Sequence, residues 1–213
     1  MEADIQRQIQ LFTLSNSLPK IDIHAHLNGS IRKKTLLENL SISDKNELEK
    51  LLSKMDFPNA MKFFKISSKI ITDLSIVRRI TKEMLEDWKK HNVIYLEIRT
   101  PLYGKAELYT KEEYLKAVLE EINNFNNEKK MITRLIISLD REKELNDYEE
   151  TYNIYKNLND ENLKKLMGIG DLGPIPKKEK KIILKIVLLN NYLLKNKEIF
   201  YINYLLKSNI IIN

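Results

Sequence analysis

Residues 18–30 read LPKIDIHAHLNGS. Pro19 closes whatever helix precedes it, and the residues after it alternate with the period of a strand. His24 and His26 stand two apart in that run, and the chain has only three histidines. On a strand, residues i and i+2 point to the same face, so both imidazoles can aim at one point about 2 Å beyond their ring nitrogens. That is zinc-ligand geometry. Catalytic zinc takes three protein ligands and keeps a position open for water, so a His-x-His pair is part of a site that needs partners from other strands. The alternative is that both are ordinary core or surface histidines. The Asn28-Gly29-Ser30 turn that follows weighs against it, because a strand that opens outward at a glycine between polar side chains is built to present groups to a ligand.

Outward from this stretch the chain alternates strands with helices. Residues 3–14 carry an amphipathic helical pattern, and 32–40 a short one. Asp44 and Glu47 are spaced as a capping arrangement for a helix over 45–55. Longer helical patterns cover 59–71 and 73–92. VIYLEIR (93–99) is a strand, and Thr110 with Glu113 forms a capping box for a helix over 111–125. ITRLIISLD (132–140) is a strand, 146–166 a helix, and MGIGDL (167–172) a short strand running into a turn. Apolar strands separated by helices predict parallel βα units, arranged either as a barrel or as an open doubly wound sheet. In both, catalytic groups collect at the C-terminal ends of strands, where this chain has His26, Asn28, Glu97, Arg99, Asp140 and Asp171. Trp88, the one tryptophan, falls on a helix and reads as packing.

Composition narrows the classes. The chain has 213 residues and no cysteine, which excludes disulfides, a cysteine nucleophile and thiolate metal ligands. The N-terminal ten residues lack the apolar core of a signal peptide, and no run reaches the roughly 18 apolar residues of a membrane span, so the expected location is cytoplasmic. The net charge of +6 is carried by residues 177–213, which hold eight lysines and two glutamates. The body is neutral, so the basic balance is no argument for a nucleic-acid partner. In the last 37 residues Lys, Ile, Leu, Asn and Tyr account for 32 positions. Their apolar residues come in clumps and do not segregate from lysine onto two faces, which also argues against docking to an acidic membrane. The expected division is therefore 1–176 as the domain and 177–213 as a low-complexity tail foreign to it. A genomic exon boundary close to the start of the tail is the expected finding; uninterrupted coding sequence through it would count against the division.

LPKIDIHAHLNGSI closely resembles the first-strand motif of the adenosine deaminase family, in particular the branch acting on N-methylated adenosine monophosphate, which carries Asn at the position of Asn28. VIYLEIRTP and LIISLDRE are similar to that branch's second- and third-strand motifs, and the resemblance runs over about 14–173. It implies a (β/α)8 barrel and a zinc-dependent hydrolytic deamination of a purine nucleoside or nucleotide. By matching position it implies His24 and His26 as zinc ligands, His26 also facing substrate, Asn28 at the ribose or its ester, Thr100 and Pro101 against the nucleotide, Asp140 as a substrate-side polar group, and Gly173 approaching the purine.

The rest of the family's machinery, a third histidine ligand, a proton-shuttling glutamate, a further histidine and a late aspartate, has no counterpart here. After His91 the sequence has no histidine, and His91 itself falls in a helix-to-strand connection, at the wrong end of a strand. Ser68 stands where the branch usually has a histidine, and Leu102 and Tyr103 where a basic residue usually follows Thr-Pro. About four strands are visible, against eight for the barrel. The expectation is a partial barrel with an incomplete zinc ligand set, inactive on its own as a deaminase, and open to self-association through unburied barrel edges. The competing expectation is a non-catalytic isoform or relic that binds metal weakly or acts by interaction.

Overall fold

The computed structural model describes residues 2–172, apart from 55, 130, 141–142, 160–161 and 163–165. Gly173 and the tail over 177–213 lie outside the described residues. Helix α1 (Glu2–Ser17) leads into strand β1 (Lys20–His26) and a single 3-10 turn, Leu27–Gly29. Helices α2 (Lys33–Asn39), α3 (Ile42–Ser53), α4 (Phe57–Ser68) and α5 (Leu74–Lys90) come before β2 (Val93–Pro101). Then α6 (Lys111–Lys129), β3 (Ile132–Asp140), α7 (Leu145–Lys156) and β4 (Leu166–Leu172) alternate.

All three strand pairings are parallel, and the order across the sheet is β1-β2-β3-β4. This order decides between the two architectures that the sequence leaves open. A doubly wound sheet reverses its winding at a switch point. Here each crossover steps the same way, and since such connections are right-handed as a rule, every connecting helix falls on one face. That is barrel winding, and the four strands form a partial TIM-type (β/α)8 barrel.

The helix-facing side is sealed. Leu96, Ile98 and Thr100 of β2 and Leu135, Ile137 and Leu139 of β3 are almost fully buried. Helix α5 meets β2 with Ile76, Val77, Ile80, Met84 and Leu85, a stripe at the 3.6-residue period, and α6 covers β3. Each of these side chains contributes roughly 1.5–3 kcal/mol by leaving water. The other face is the inside of the barrel. Register places Ile21 opposite Tyr95 and Tyr95 opposite Ile132. Ile21 is 67% exposed and Ile132 52%, so this apolar row is open to solvent among the described residues.

Several helix ends differ from the sequence reading: α1 covers Glu2–Ser17 and not 3–14, α4 covers Phe57–Ser68 and not 59–71, and α6 runs to Lys129 and not 125; two more have a clear local cause. Helix α3 starts before the Asp44–Glu47 pair: Ser41 is the N-cap, its Oγ accepting from the Asp44 backbone N–H at 3.1 Å and donating to the Asp44 carboxylate at 2.8 Å. Helix α7 stops at Lys156, with Asn157 as its C-cap, instead of running on to 166. The Asn-Leu-Asn-Asp run there has poor helix propensity and offers turn-forming side chains. The Thr110–Glu113 box forms as expected, each side chain bonded to the other's backbone N–H.

Helix α5 is capped by Asp73, whose Oδ1 accepts from the backbone N–H groups of Ser75 and Ile76. The Ser75 hydroxyl, with help from these amides and Thr72, holds the Asp73 carboxyl below the usual range. Its stabilising effect is thus present above the unfolded pKa, about 3.9, and is lost as pH falls through the lower folded value. Asp73→Ala is expected to cost about 1 kcal/mol in denaturant unfolding at pH 7, with the deficit shrinking below about pH 4. A pH-independent deficit would show that the cap acts through something other than its charge.

Candidate active site

The first strand is irregular where it matters. Asp22 is opposite Leu96 and Ala25 opposite Ile98, so three steps along β1 match two along β2. One extra residue is accommodated there, the mark of a β-bulge. Asp22 and Ala25 therefore both pair with helix-facing positions of β2, while His26 pairs with Arg99 on the inner face. The bulge also brings His24 to the inner face. The result is an imidazole pair with Nε2 atoms 3.0 Å apart and ring centroids 5.0 Å apart.

A Nε2–Nε2 contact of this length needs one ring to donate a proton and the other to accept it, so the pair holds together only while at least one ring is neutral. Both rings favour the neutral form. Burial, the neighbouring His24 and the Arg99 cation push His26 down to about 4. Burial and Arg99 also lower His24, against the opposing pull of Asp22 and Glu97. Neutral imidazoles are the ligating form, and two nitrogens on one zinc, at about 2.0–2.1 Å and an angle of roughly 95–110°, lie about 3.0–3.4 Å apart. The pair fits two positions of such a site. Among the described residues, no group of three or more His, Cys, Asp or Glu side chains is placed to hold a metal. The two donors fit, and the rest of the shell is not assembled from these residues.

The pair is tightly bracketed. Phe64 of α4 packs edge-on against His26, centroids 5.5 Å apart. Gly29 is what makes room: a Cβ there would lie 2.8 Å from Phe64 Cε1 and 3.4 Å from His26 Cβ. Behind the pair, Asp22 Oδ1 accepts the backbone N–H of His24 at 3.0 Å, and Oδ2 accepts the indole N–H of Trp88 at 2.8 Å.

The other expected site residues fall into two groups. Asn28 is buried in the middle of the 3-10 turn, and its Nδ2 donates to the Tyr103 hydroxyl at 3.1 Å. Pro101 and Asp140 line a cleft of about 370 Å³ between the β2–α6 loop and the start of α7, together with Tyr103, Lys105 and Lys143. Thr100 does not reach that cleft. It is fully buried on the helix-facing side, with Oγ1 2.8 Å from the Tyr114 hydroxyl. Its link to the site is indirect: Tyr114 packs edge-on against Tyr103, centroids 5.5 Å apart. His91 caps the end of α5, exposed, away from the pair. Glu97 is buried on the inner face, accepts from the Tyr95 hydroxyl at 2.9 Å and stands in register with Arg134.

Asp22, Phe64 and Tyr103 carry no sequence signal that singles them out, and Trp88 reads as packing. The interpretable clue is Gly29, since a glycine beside a histidine motif marks a close approach.

A parallel sheet wound in barrel order, with polar groups at its strand C-termini, defines an α/β protein of the TIM-barrel class. A family model described as adenosine deaminase matches residues 19–171, and the chain belongs to that family of hydrolases. The N6-mAMP deaminase of Arabidopsis thaliana is 31% identical over 175 residues, covering 68% of this chain and 49% of its own length. The crystal structure of Arabidopsis ADAL complexed with GMP superposes with a TM-score of 0.70 at 29% identity, over 84% of this chain and 57% of that one. A Burkholderia ambifaria amidohydrolase crystallised with bound Zn shares the fold at a TM-score of 0.60 and 20% identity, covering 79% of this chain and 48% of its own. The chain spans about half the length of the curated relatives it matches.

Because the folded pKa of His26 lies below its unfolded value of about 6.5, protonation favours the unfolded chain. Its contribution is fully present above pH 6.5 and is lost as pH falls from there toward about 4. NMR titration of the metal-free protein is expected to give a His26 midpoint close to 4, with stability falling over the same window. A midpoint near 6.5 would mean the ring is solvated and the pair open.

Proposed function

We propose that this chain carries the first part of a zinc-dependent hydrolytic deaminase acting on adenosine-type purine nucleotides, with N-methylated AMP the foremost substrate. The observation that carries the reading is the neutral imidazole pair with Nε2 atoms 3.0 Å apart on the inner face of a barrel-type sheet. The names of the Arabidopsis relative and of its nucleotide-bound structure support the substrate class.

In this reading His24 and His26 hold the zinc. A bound zinc supplies Lewis acidity that makes water nucleophilic near neutral pH. Burial keeps the His26 ring neutral at neutral pH, so a cation binding to the pair displaces only the one proton that bridges the two Nε2 atoms. Asn28, with one of its two amide N–H groups given to Tyr103, keeps its carbonyl oxygen as an acceptor for a ribose hydroxyl. Pro101 and Asp140 shape the cleft beside it, and Gly173 completes the purine contact by resemblance. Thr100 acts one step back, through Tyr114 and Tyr103.

The same site favours a second reading for this polypeptide on its own. With two imidazoles and no third protein donor among the described residues, the chain alone is inactive and holds metal weakly. The open inner-face row of Ile21 and Ile132 and the unpaired outer edges of β1 and β4 among the described residues make it prone to self-association. Among the described residues, no helix is long and apolar enough to cross a membrane; a cytoplasmic location remains part of the proposal.

Both readings meet in one set of measurements on the 213-residue chain. Stoichiometric zinc that survives dialysis, with methylamine release from N6-methyl-AMP, would establish the first reading for this chain. The expected result is instead zinc that is lost on dialysis, no turnover, and a mass by light scattering above that of a monomer. His24→Ala or His26→Ala is expected to abolish what zinc binding there is; zinc retained by both variants would remove the pair from the site.

A further inference from the structure

We propose that Asp22 and Trp88 are positioning residues, forming a clamp that sets the bulge in β1 and thereby holds His24 in ligating position. The inference rests on the reading of His24 and His26 as a metal-binding pair. It goes beyond that reading by assigning a role to the chain's single tryptophan and to a carboxylate outside the ligand set.

The extra residue of a bulge leaves a backbone donor without its ladder partner. Here the break falls between Asp22 and Ala25, and the Asp22 carboxylate takes the His24 N–H at 3.0 Å. A carboxylate that closes its own chain two residues on is an Asx-type turn, which specifies local backbone direction. Left to itself such a turn on a surface strand can relax. Trp88 prevents this by donating its indole N–H to the second carboxylate oxygen at 2.8 Å.

Trp88 is itself anchored. It sits on α5, the helix whose apolar stripe packs on the sheet, and its ring lies against the buried core. The clamp therefore ties the bulge to a helix that is packed on the sheet along its whole apolar stripe. Without it, β1 could return to regular pairing. A one-residue slip moves a side chain to the opposite face of a sheet. Regular pairing carried on from Asp22 would turn His24 and His26 together toward the helices, and the pair at 3.0 Å would leave the inner face.

The clamp also makes Trp88 a reporter. Its indole is joined to the His24 backbone through one carboxylate, so a metal that tightens the pair changes the environment of the only tryptophan.

The test is a zinc titration of the full chain, followed by Trp88 fluorescence and, in parallel, by a competing chromophoric chelator. The parent is compared with Trp88→Phe, Asp22→Asn, the double variant and His26→Ala. Trp88→Phe keeps an aromatic ring in the core but has no N–H to donate. It is expected to leave the thermal midpoint close to that of the parent and to weaken zinc binding by about 10- to 100-fold, the usual effect of losing an outer-shell partner. Asp22→Asn is expected to weaken zinc similarly, and the double variant no more than either single one, because both break the same clamp. In the parent, fluorescence is expected to change with the midpoint read by the chelator, and not at all in His26→Ala. Parent-like zinc affinity in a folded Trp88→Phe, or additive losses in the double variant, would overturn the clamp while leaving the metal pair standing. Equal zinc binding by the parent and His26→Ala would overturn the metal reading itself.

Discussion

The extra residue in β1 is the constraint on which the site depends. In a regular strand Asp22, His24 and His26 would share one face. The bulge separates them: Asp22 goes to the helix layer, where Trp88 receives it, and the two imidazoles go to the barrel interior. A local defect in hydrogen bonding thus becomes a rotation of side chains by half a strand period. The lost backbone pairing is offset by a carboxylate that accepts the freed N–H.

The sheet divides its work between its two faces. On the helix side, β2 and β3 present leucine, isoleucine and threonine to α5 and α6, and burial there supplies the stability. The inner face carries Glu97, Arg99, His24 and His26, groups that would be costly to bury without partners. The two faces remain connected. Thr100, on the helix side, fixes Tyr114, whose ring supports Tyr103, and the Tyr103 hydroxyl in turn accepts from Asn28. Burial keeps the Tyr103 hydroxyl protonated far above its ordinary pKa, with the charge of Asp140 adding to the effect.

How much was legible depended on the range of the interaction involved. The Thr110–Glu113 box and the parallel βα pattern follow from residues close in sequence, and both are found where expected. The start of α3 was misplaced by three residues because Ser41 and Asp44 form their own reciprocal cap, a pairing that competes with the Asp44–Glu47 spacing. The end of α7 differs because Leu158, three residues after Tyr155, prolongs an apolar spacing in the sequence that the asparagines after Lys156 interrupt. Trp88 looked like packing, and it does pack; its second role depends on Asp22, 66 positions away in sequence.

The sequence by itself determined that parallel βα units were present, that two histidines would stand together at the mouth of the first strand, and that the chain would align with the adenosine deaminase family, since each is written in short-range periodicity and motif. Only the tertiary structure decided that the strands follow one another in barrel order, that Thr100 turns away from the cleft while Pro101 and Asp140 face it, and that Asp22 and Trp88 stand behind His24. The physical reason is that winding direction, a one-residue bulge and a hydrogen bond between a strand and a distant helix are set by how whole elements pack against each other. None of them leaves a period or a spacing in the chain.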